Sequence, residues 1–181
     1  DADSLPRLHA LLSRIASARP VYAVKGNWDS WYWQGLDLFG GTGVRPLDGE
    51  AVEFRVGPTP VRLGGVAVRN ENATPAMLAG YGPEALNLYL YHSPDLVEEL
   101  DGRGVDFYFA GHTHGGQIRL PPYGALITFS KFDKKYEMGL YRLDGLTLYV
   151  NRGIGTEGHV PPIRFMSVPE VTVHRILPAS P

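Results

Sequence analysis

One pattern constrains the fold of this chain more than any other, and it occurs three times. The segments "VYAVKGNWD" from Val21, "LNLYLYHSPD" from Leu86 and "FYFAGHTHGG" from Phe107 each begin as a short, nearly continuous apolar run. Each then breaks into a loop that carries Asn or His. A surface strand would alternate polar and apolar residues, whereas a run apolar throughout suits a strand buried under flanking helices. In open α/β sheets, ligands bind beyond the carboxyl ends of the strands. If these strands are neighbours, Asn27, His92, His112 and His114 converge at one sheet edge.

The remaining segments supply the parts of an α/β fold. Ser4 reads as a helix N-cap with Pro6 in the first turn, followed by a stripe of Leu5, Leu8, Leu11, Leu12 and Ile15. Residues 51 to 68 read as two strands, "AVEFRV" and "VRLGGVAV", joined by Gly57 and Pro58. "PDLVEEL" starts a short helix. "GLYRLDGLTLYVNRG" reads as a hairpin around Asp144-Gly145. "EVTVHRIL" is expected as a final, alternating strand. No repeat, low-complexity tract or linker divides residues 1–181, so one domain is expected.

Charge and residue usage remove several function classes. A net charge of -2 argues against a general nucleic-acid binder, which would be basic. With no cysteine, neither a disulfide nor a thiolate metal site is available, and any metal must take nitrogen and oxygen ligands. No apolar run approaches the ~18 residues of a membrane span, and no signal peptide is visible. The expectation is a soluble chain, cytoplasmic or peripheral at a membrane. It opens on Asp1, not Met, and is expected to be processed or cut from something longer.

"GHTHGG" is poor material for a packed core. Glycines let backbone approach a ligand closely and adopt positive φ, and histidine is the commonest metal ligand near neutral pH. Asn offers a carbonyl oxygen and His a ring nitrogen, a donor set that suits Mn, Fe or Zn. His112 and His114 could also serve two ions about 4 Å apart, the spacing used in two-metal phosphate chemistry.

"GNWD", "YHSPD" and "GHTHGGQ", in that order, resemble the last three motifs of the calcineurin-like metallophosphoesterases. "YVNRGIGTEG" and "PPIRF" look like the YkuE-like branch of that superfamily. The resemblance runs from about Val21 onward. It implies an α/β metallophosphoesterase β-sandwich flanked by helices, and hydrolysis of a phosphomonoester, phosphodiester or pyrophosphate by a two-metal-activated hydroxide. It implies two divalent metal ions (Mn, Fe or Zn). Asn27, His92 and His112 would hold one ion and His114 the other. It also implies a phosphate-ester substrate, with a phospholipid or a nucleotide-linked lipid indicated by the branch.

Two departures stand out. The position after Asn27 is usually His in the superfamily, where it contacts the leaving group. Here it is Trp28, which has one indole N–H and no titratable proton. The opening motifs of the superfamily, D-x-H and G-D-x-x-D, are absent from the sequence. The chain is therefore expected to be a domain lacking its first βα units and inactive alone. A homo-oligomer, a swapped N-terminal segment or a part of the same polypeptide outside this numbering would complete its sheet.

Each candidate also has a plainer explanation. Asn27 could be a turn residue and His92 a hydrogen-bonded strand-end residue. Asp29, with Trp28 a candidate catalytic residue, orients a ligand or caps the next helix. Arg152 and Gln117 are candidate substrate contacts, though Arg152 could equally form a surface ion pair. "WDSWYW" could stack on a base, line an acyl groove, meet a membrane interface or pack as a helix start. His9, His159 and His174 lack motif context and are expected to be structural or solvent-facing. The alternative from another class is a non-catalytic metal- or phosphate-binding truncated relative.

Overall fold

The computed structural model describes residues 2–157 and 162–177; His159 lies outside the described residues. Helix α1, Leu5–Ala16, starts from the N-cap position at Ser4. Strand β1, Tyr22–Ala23, leads into the short helix α2, Asn27–Trp31. Strands β2, Arg45–Pro46, β3, Glu50–Val56, and β4, Thr59–Gly65, follow. Helix α3, Thr74–Leu78, precedes β5, Leu86–Leu90, and α4, Val97–Leu100, precedes β6, Phe107–Ala110. Short strands β7, Arg119–Leu120, and β8, Gly124–Ala125, precede the hairpin of β9, Gly139–Arg142, and β10, Thr147–Val150.

Six strands form one mixed sheet in the order β3-β4-β5-β6-β10-β9, and β1-β2 and β7-β8 are separate two-stranded pairs. The three central junctions, β4 to β5, β5 to β6 and β6 to β10, are parallel. The two outer hairpins are antiparallel; the first turns at Gly57, whose φ of 57° suits glycine. The α/β class expected from the sequence is therefore the observed one.

The two faces of the sheet are covered unequally. One face carries Tyr89, Tyr108, Leu148 and Val150, all at 0% exposure, packed with Met77 and Leu78 of α3 and Val97 and Leu100 of α4. Burying side chains of this size contributes about 1.5–3 kcal/mol each. The tyrosine hydroxyls stay satisfied there: Tyr89 meets Thr74 Oγ1 at 2.9 Å, and Tyr108 donates to the Ser93 carbonyl. On the opposite face, Phe54, Leu88 and Leu90 are half-buried beside Leu47, Val52, Leu63, Tyr22 and Val24.

Two expectations need correction. "VYAVKG" does not enter the large sheet. Only Tyr22 and Ala23 form a ladder, parallel to β2, and Tyr22 stacks on Phe54 at 6.1 Å. The run is apolar because it lies against the sheet's face, not because it is a central strand. "EVTVHRIL" forms no ladder, and its alternation is inverted. Val171 and Val173 are 85% and 92% exposed. Thr172 hydrogen-bonds Tyr149 and Asn151, and the His174 ring packs on Phe109 and Tyr149 at 5.2 and 4.3 Å. Polar partners on β10 select the inward residues, so the hydrophobic pattern misleads here.

Candidate functional site

Strands β5 and β6 stay joined past their carboxyl ends. Tyr91 N–H donates to Phe109 O at 3.3 Å, and Gly111 N–H donates to His92 O at 2.8 Å. That continuation brings the His92 and His112 rings to 5.1 Å between centroids, edge to face at 70°. The third segment arrives from β1. Val68 N–H donates to Lys25 O at 3.2 Å, fixing the chain just before Gly26. A Cβ on Gly26 would sit 2.8 Å from both Cε1 and Nδ1 of His92. The imidazole thus occupies the space that a side chain would need. Asn27 follows in the first turn of α2 at 9% exposure.

The glycines after the histidines answer to packing. Gly115 and Gly116 have φ of 62° and 78°. A Cβ on Gly116 would lie 2.2 Å from Ala125 Cβ. Thr113 Oγ1 accepts from Gly115 N–H and donates to Glu137 O at 2.7 Å, pinning the turn. His112, His114 and Gln117 also have positive φ, at 70°, 51° and 53°. Non-glycine residues pay roughly 1–3 kcal/mol for such conformations, which persist where surrounding structure imposes them and cluster at functional sites.

Burial keeps His92 and His114 neutral. Burial, then the proximity of His112 and His114, pushes His92 down to about 3. Burial also lowers His114, against the opposing hydrogen bond from Gln117 and with Arg164 adding to the lowering. An unprotonated imidazole is the form that binds a metal, so the donor set fits a divalent transition ion in kind. It does not fit in number. Among the described residues, no group of three or more His, Cys, Asp or Glu is drawn together to hold an ion. His112 Nε2 instead lies 3.1 Å from Phe129 O.

The other sequence-predicted residues are placed as follows. Asp29 Oδ2 accepts Gly26 N–H at 2.9 Å, closing a capping box at the start of α2. Trp28 donates its indole N–H to Glu157, 3.1 Å from Oε1, and its ring packs on Tyr32 and Trp33. Trp31 and Tyr32 remain 48% and 59% exposed. Gln117 Oε1 accepts Glu157 N–H at 2.7 Å and lies 3.4 Å from His114 Nδ1. Arg152 is engaged elsewhere: its Nε donates to Glu170 Oε2 at 2.9 Å, and its backbone N–H donates to Oε1. His9 Nε2 lies 2.8 Å from Asp37 O, far from this group.

Two neighbours of the histidines were not among the candidates, although Glu157 lies within "YVNRGIGTEG". Glu157 and Phe129 line the same small cleft as His112 and His114. Arg164 and Ser167 both donate to the His114 carbonyl, at 3.3 and 2.6 Å, and hold the loop from behind.

The three loops that meet here carry, in order, "GNWD", "YHSPD" and "GHTHGGQ", and several curated proteins are similar to this chain. Metallophosphoesterase YkuE of Bacillus subtilis is 41% identical over 87 residues, 48% of this chain and 29% of its own length. Metallophosphoesterase YkoQ of the same organism is 28% identical over 188 residues, covering 96% of this chain and 67% of its own. The chain is thus similar to the calcineurin-like metallophosphoesterases in sequence as well as in its motifs. Its YkuE-like character, read from the motifs, agrees with the YkuE match. The UDP-2,3-diacylglucosamine pyrophosphatase LpxG of Chlamydia trachomatis is 36% identical over 104 residues, 54% of this chain and 31% of LpxG. The matched region thus spans about a third of YkuE and LpxG and two thirds of YkoQ. No family model matches the chain, and no solved structure matches it significantly. Among the described residues, no helix is long and apolar enough to cross a membrane.

Proposed function

We propose that this chain carries the histidine side of a dinuclear phosphoesterase centre. The observation that carries the proposal is the convergence of the Gly26-Asn27 turn, His92 and the His112–His114 loop at the ends of two adjacent parallel strands. Asn27, His92 and His112 would hold one ion, and His114 the other. When bound, the ions supply Lewis acidity and a water activated near neutral pH.

The side chains of the chain have separate tasks. His92 and His114 present neutral nitrogens, because burial opposes their protonation. Gly26 lets the Asn27 turn close on the His92 ring. Trp28 has an N–H to donate and no proton to release, so it cannot serve as a general acid. In the structure it orients the Glu157 carboxylate. Arg152 reaches an incoming phosphate only by leaving Glu170.

Hydrolysis of a phosphodiester or pyrophosphate fits the names of the relatives, LpxG being named a pyrophosphatase. The single-domain assignment over 1–181 belongs to the same proposal, with carboxylate ligands contributed by a segment outside this numbering. One observation favours the non-catalytic alternative: the described residues gather no complete ligand set. Hydrolysis of bis(4-nitrophenyl) phosphate with Mn separates the two, using this chain and a native form extended upstream. The expected result is turnover in the extended form, abolished by chelation and reduced at least about 100-fold by His112→Ala. Turnover that survives chelation or His112→Ala would overturn the proposal. Absence of turnover in both forms would establish the non-catalytic alternative.

A further inference from the structure

Beside His112 and His114 a cleft of about 100 Å³ opens, walled by Ile118, Leu126, Ile127 and Phe129. Leu126, Ile127 and Phe129 are 45%, 56% and 59% exposed. Three large apolar side chains in four consecutive positions left half against water are costly, since cover would add to each about half of the ~1.5–3 kcal/mol that full burial gives. The loop that carries them is fixed to the site, because Phe129 O lies 3.1 Å from His112 Nε2. Leu126 N–H also donates to Ile118 O at 3.1 Å.

Backbone strain singles out the same place. Seven non-glycine residues among those described have positive φ, and His112, His114, Gln117 and Phe129 all line this one cleft. Conformations of that kind are retained where a site requires them.

We propose that this cleft is the subsite for the hydrocarbon part of the substrate, an alkyl chain attached close to the scissile phosphate. This rests on the phosphoesterase proposal for the location of the phosphate, at the histidines. Three aliphatic walls and one ring edge favour a chain over a nucleobase, which needs hydrogen-bonding partners at its edges. The polar groups here are committed: Gln117 Oε1 accepts from Glu157 N–H, and the Glu157 carboxylate accepts from Trp28. That carboxylate at the cleft also repels a second anionic group, so the arm that enters is uncharged. The volume equals about three waters at ~30 Å³ each, enough for the first few methylenes of a chain.

The test titrates Zn-loaded protein with methyl, butyl and hexyl methylphosphonate, following the Ile, Leu and Phe signals by NMR. In parallel, turnover by the native form extended upstream is measured on methyl, butyl and hexyl 4-nitrophenyl phosphate. Each buried methylene should raise affinity about fourfold. The double variant Leu126→Asn, Ile127→Asn should flatten that dependence, whereas Val173→Asn, outside the cleft, should keep it. Both target side chains are exposed in the parent, so the double variant is expected to fold; its circular dichroism spectrum verifies this. Affinity independent of chain length, or an equal slope in the double variant, would overturn the subsite. Chain-length-dependent binding without turnover would keep the subsite and sink the phosphoesterase proposal. Turnover indifferent to chain length would do the reverse.

Discussion

Replacing Gly116 with alanine tests how far the histidine loop is set by packing. Two costs combine at this position. The φ of 78° lies in the left-handed region, where an L side chain costs roughly 1–2 kcal/mol. The new Cβ would also lie 2.2 Å from Ala125 Cβ and 2.8 Å from Ala125 Cα. Neither atom belongs to a flexible side chain, so β8 must shift, and overpacking of this kind costs typically about 1–3 kcal/mol. The sum is a loss of about 2–5 kcal/mol. For a chain of this length that corresponds to a fall in Tm of roughly 4–20 °C. Two further glycines separate the terms. Gly139 has φ of 91° and nothing within 4 Å of its Cβ direction, so Gly139→Ala should lose only the backbone share, about 1–2 kcal/mol. Gly35 meets nothing within 4 Å and has no positive φ, so Gly35→Ala should be near neutral. Urea unfolding of the three variants beside the parent supplies the comparison. If Gly116→Ala loses no more than Gly139→Ala, close packing on Ala125 is not what demands the second glycine of "GHTHGG".

Gly26→Ala should displace the His92 ring and cost about 1–3 kcal/mol in urea unfolding, with a matching drop in Zn affinity by calorimetry. Unchanged Zn affinity would separate His92 from the metal site. Glu170 supplies a pH prediction. Burial would raise its carboxyl, but hydrogen bonds from Arg152 and Tyr149 outweigh burial and hold it below the ordinary value of 4.5. Its stabilising contribution is therefore complete above about pH 4.5 and is lost as pH falls through the lower folded value. Glu170→Gln should flatten that part of the stability profile, and an unchanged acid limb in urea titrations would contradict the ion pair's role.

Strands β5 and β6 were legible in the sequence because both sheet faces demand apolar residues along "LNLYLY" and "FYFA", and the loops after them carry the histidines. The β3–β4 and β9–β10 hairpins were legible from Gly57-Pro58 and Asp144-Gly145, where local turn chemistry decides the geometry. Strand β1 was misplaced because a short apolar run looks the same whether it lies within a sheet or across its face. Residues 170–177 were misread because Thr172 and His174 face inward through polar and ring contacts that an alternating pattern cannot express. Glu157 stood within "YVNRGIGTEG", but its contact with Trp28 was hidden because it spans 129 positions. The positive φ of His112 and His114 was equally hidden, since nothing in a histidine announces a left-handed backbone.

The metal site proposed here rests on His92 and His112 as ligands, with His92 kept neutral by burial. Calorimetric titration with Zn at neutral pH, on the parent and on His92→Ala and His112→Ala, tests it most directly. Each substitution removes one nitrogen donor from a site whose other donors are few. The predicted result is Zn binding by the parent and at least about tenfold weaker binding in each variant, with far-ultraviolet circular dichroism unchanged. Equal Zn affinity in all three proteins would contradict the claim, whatever the phosphoesterase assays show.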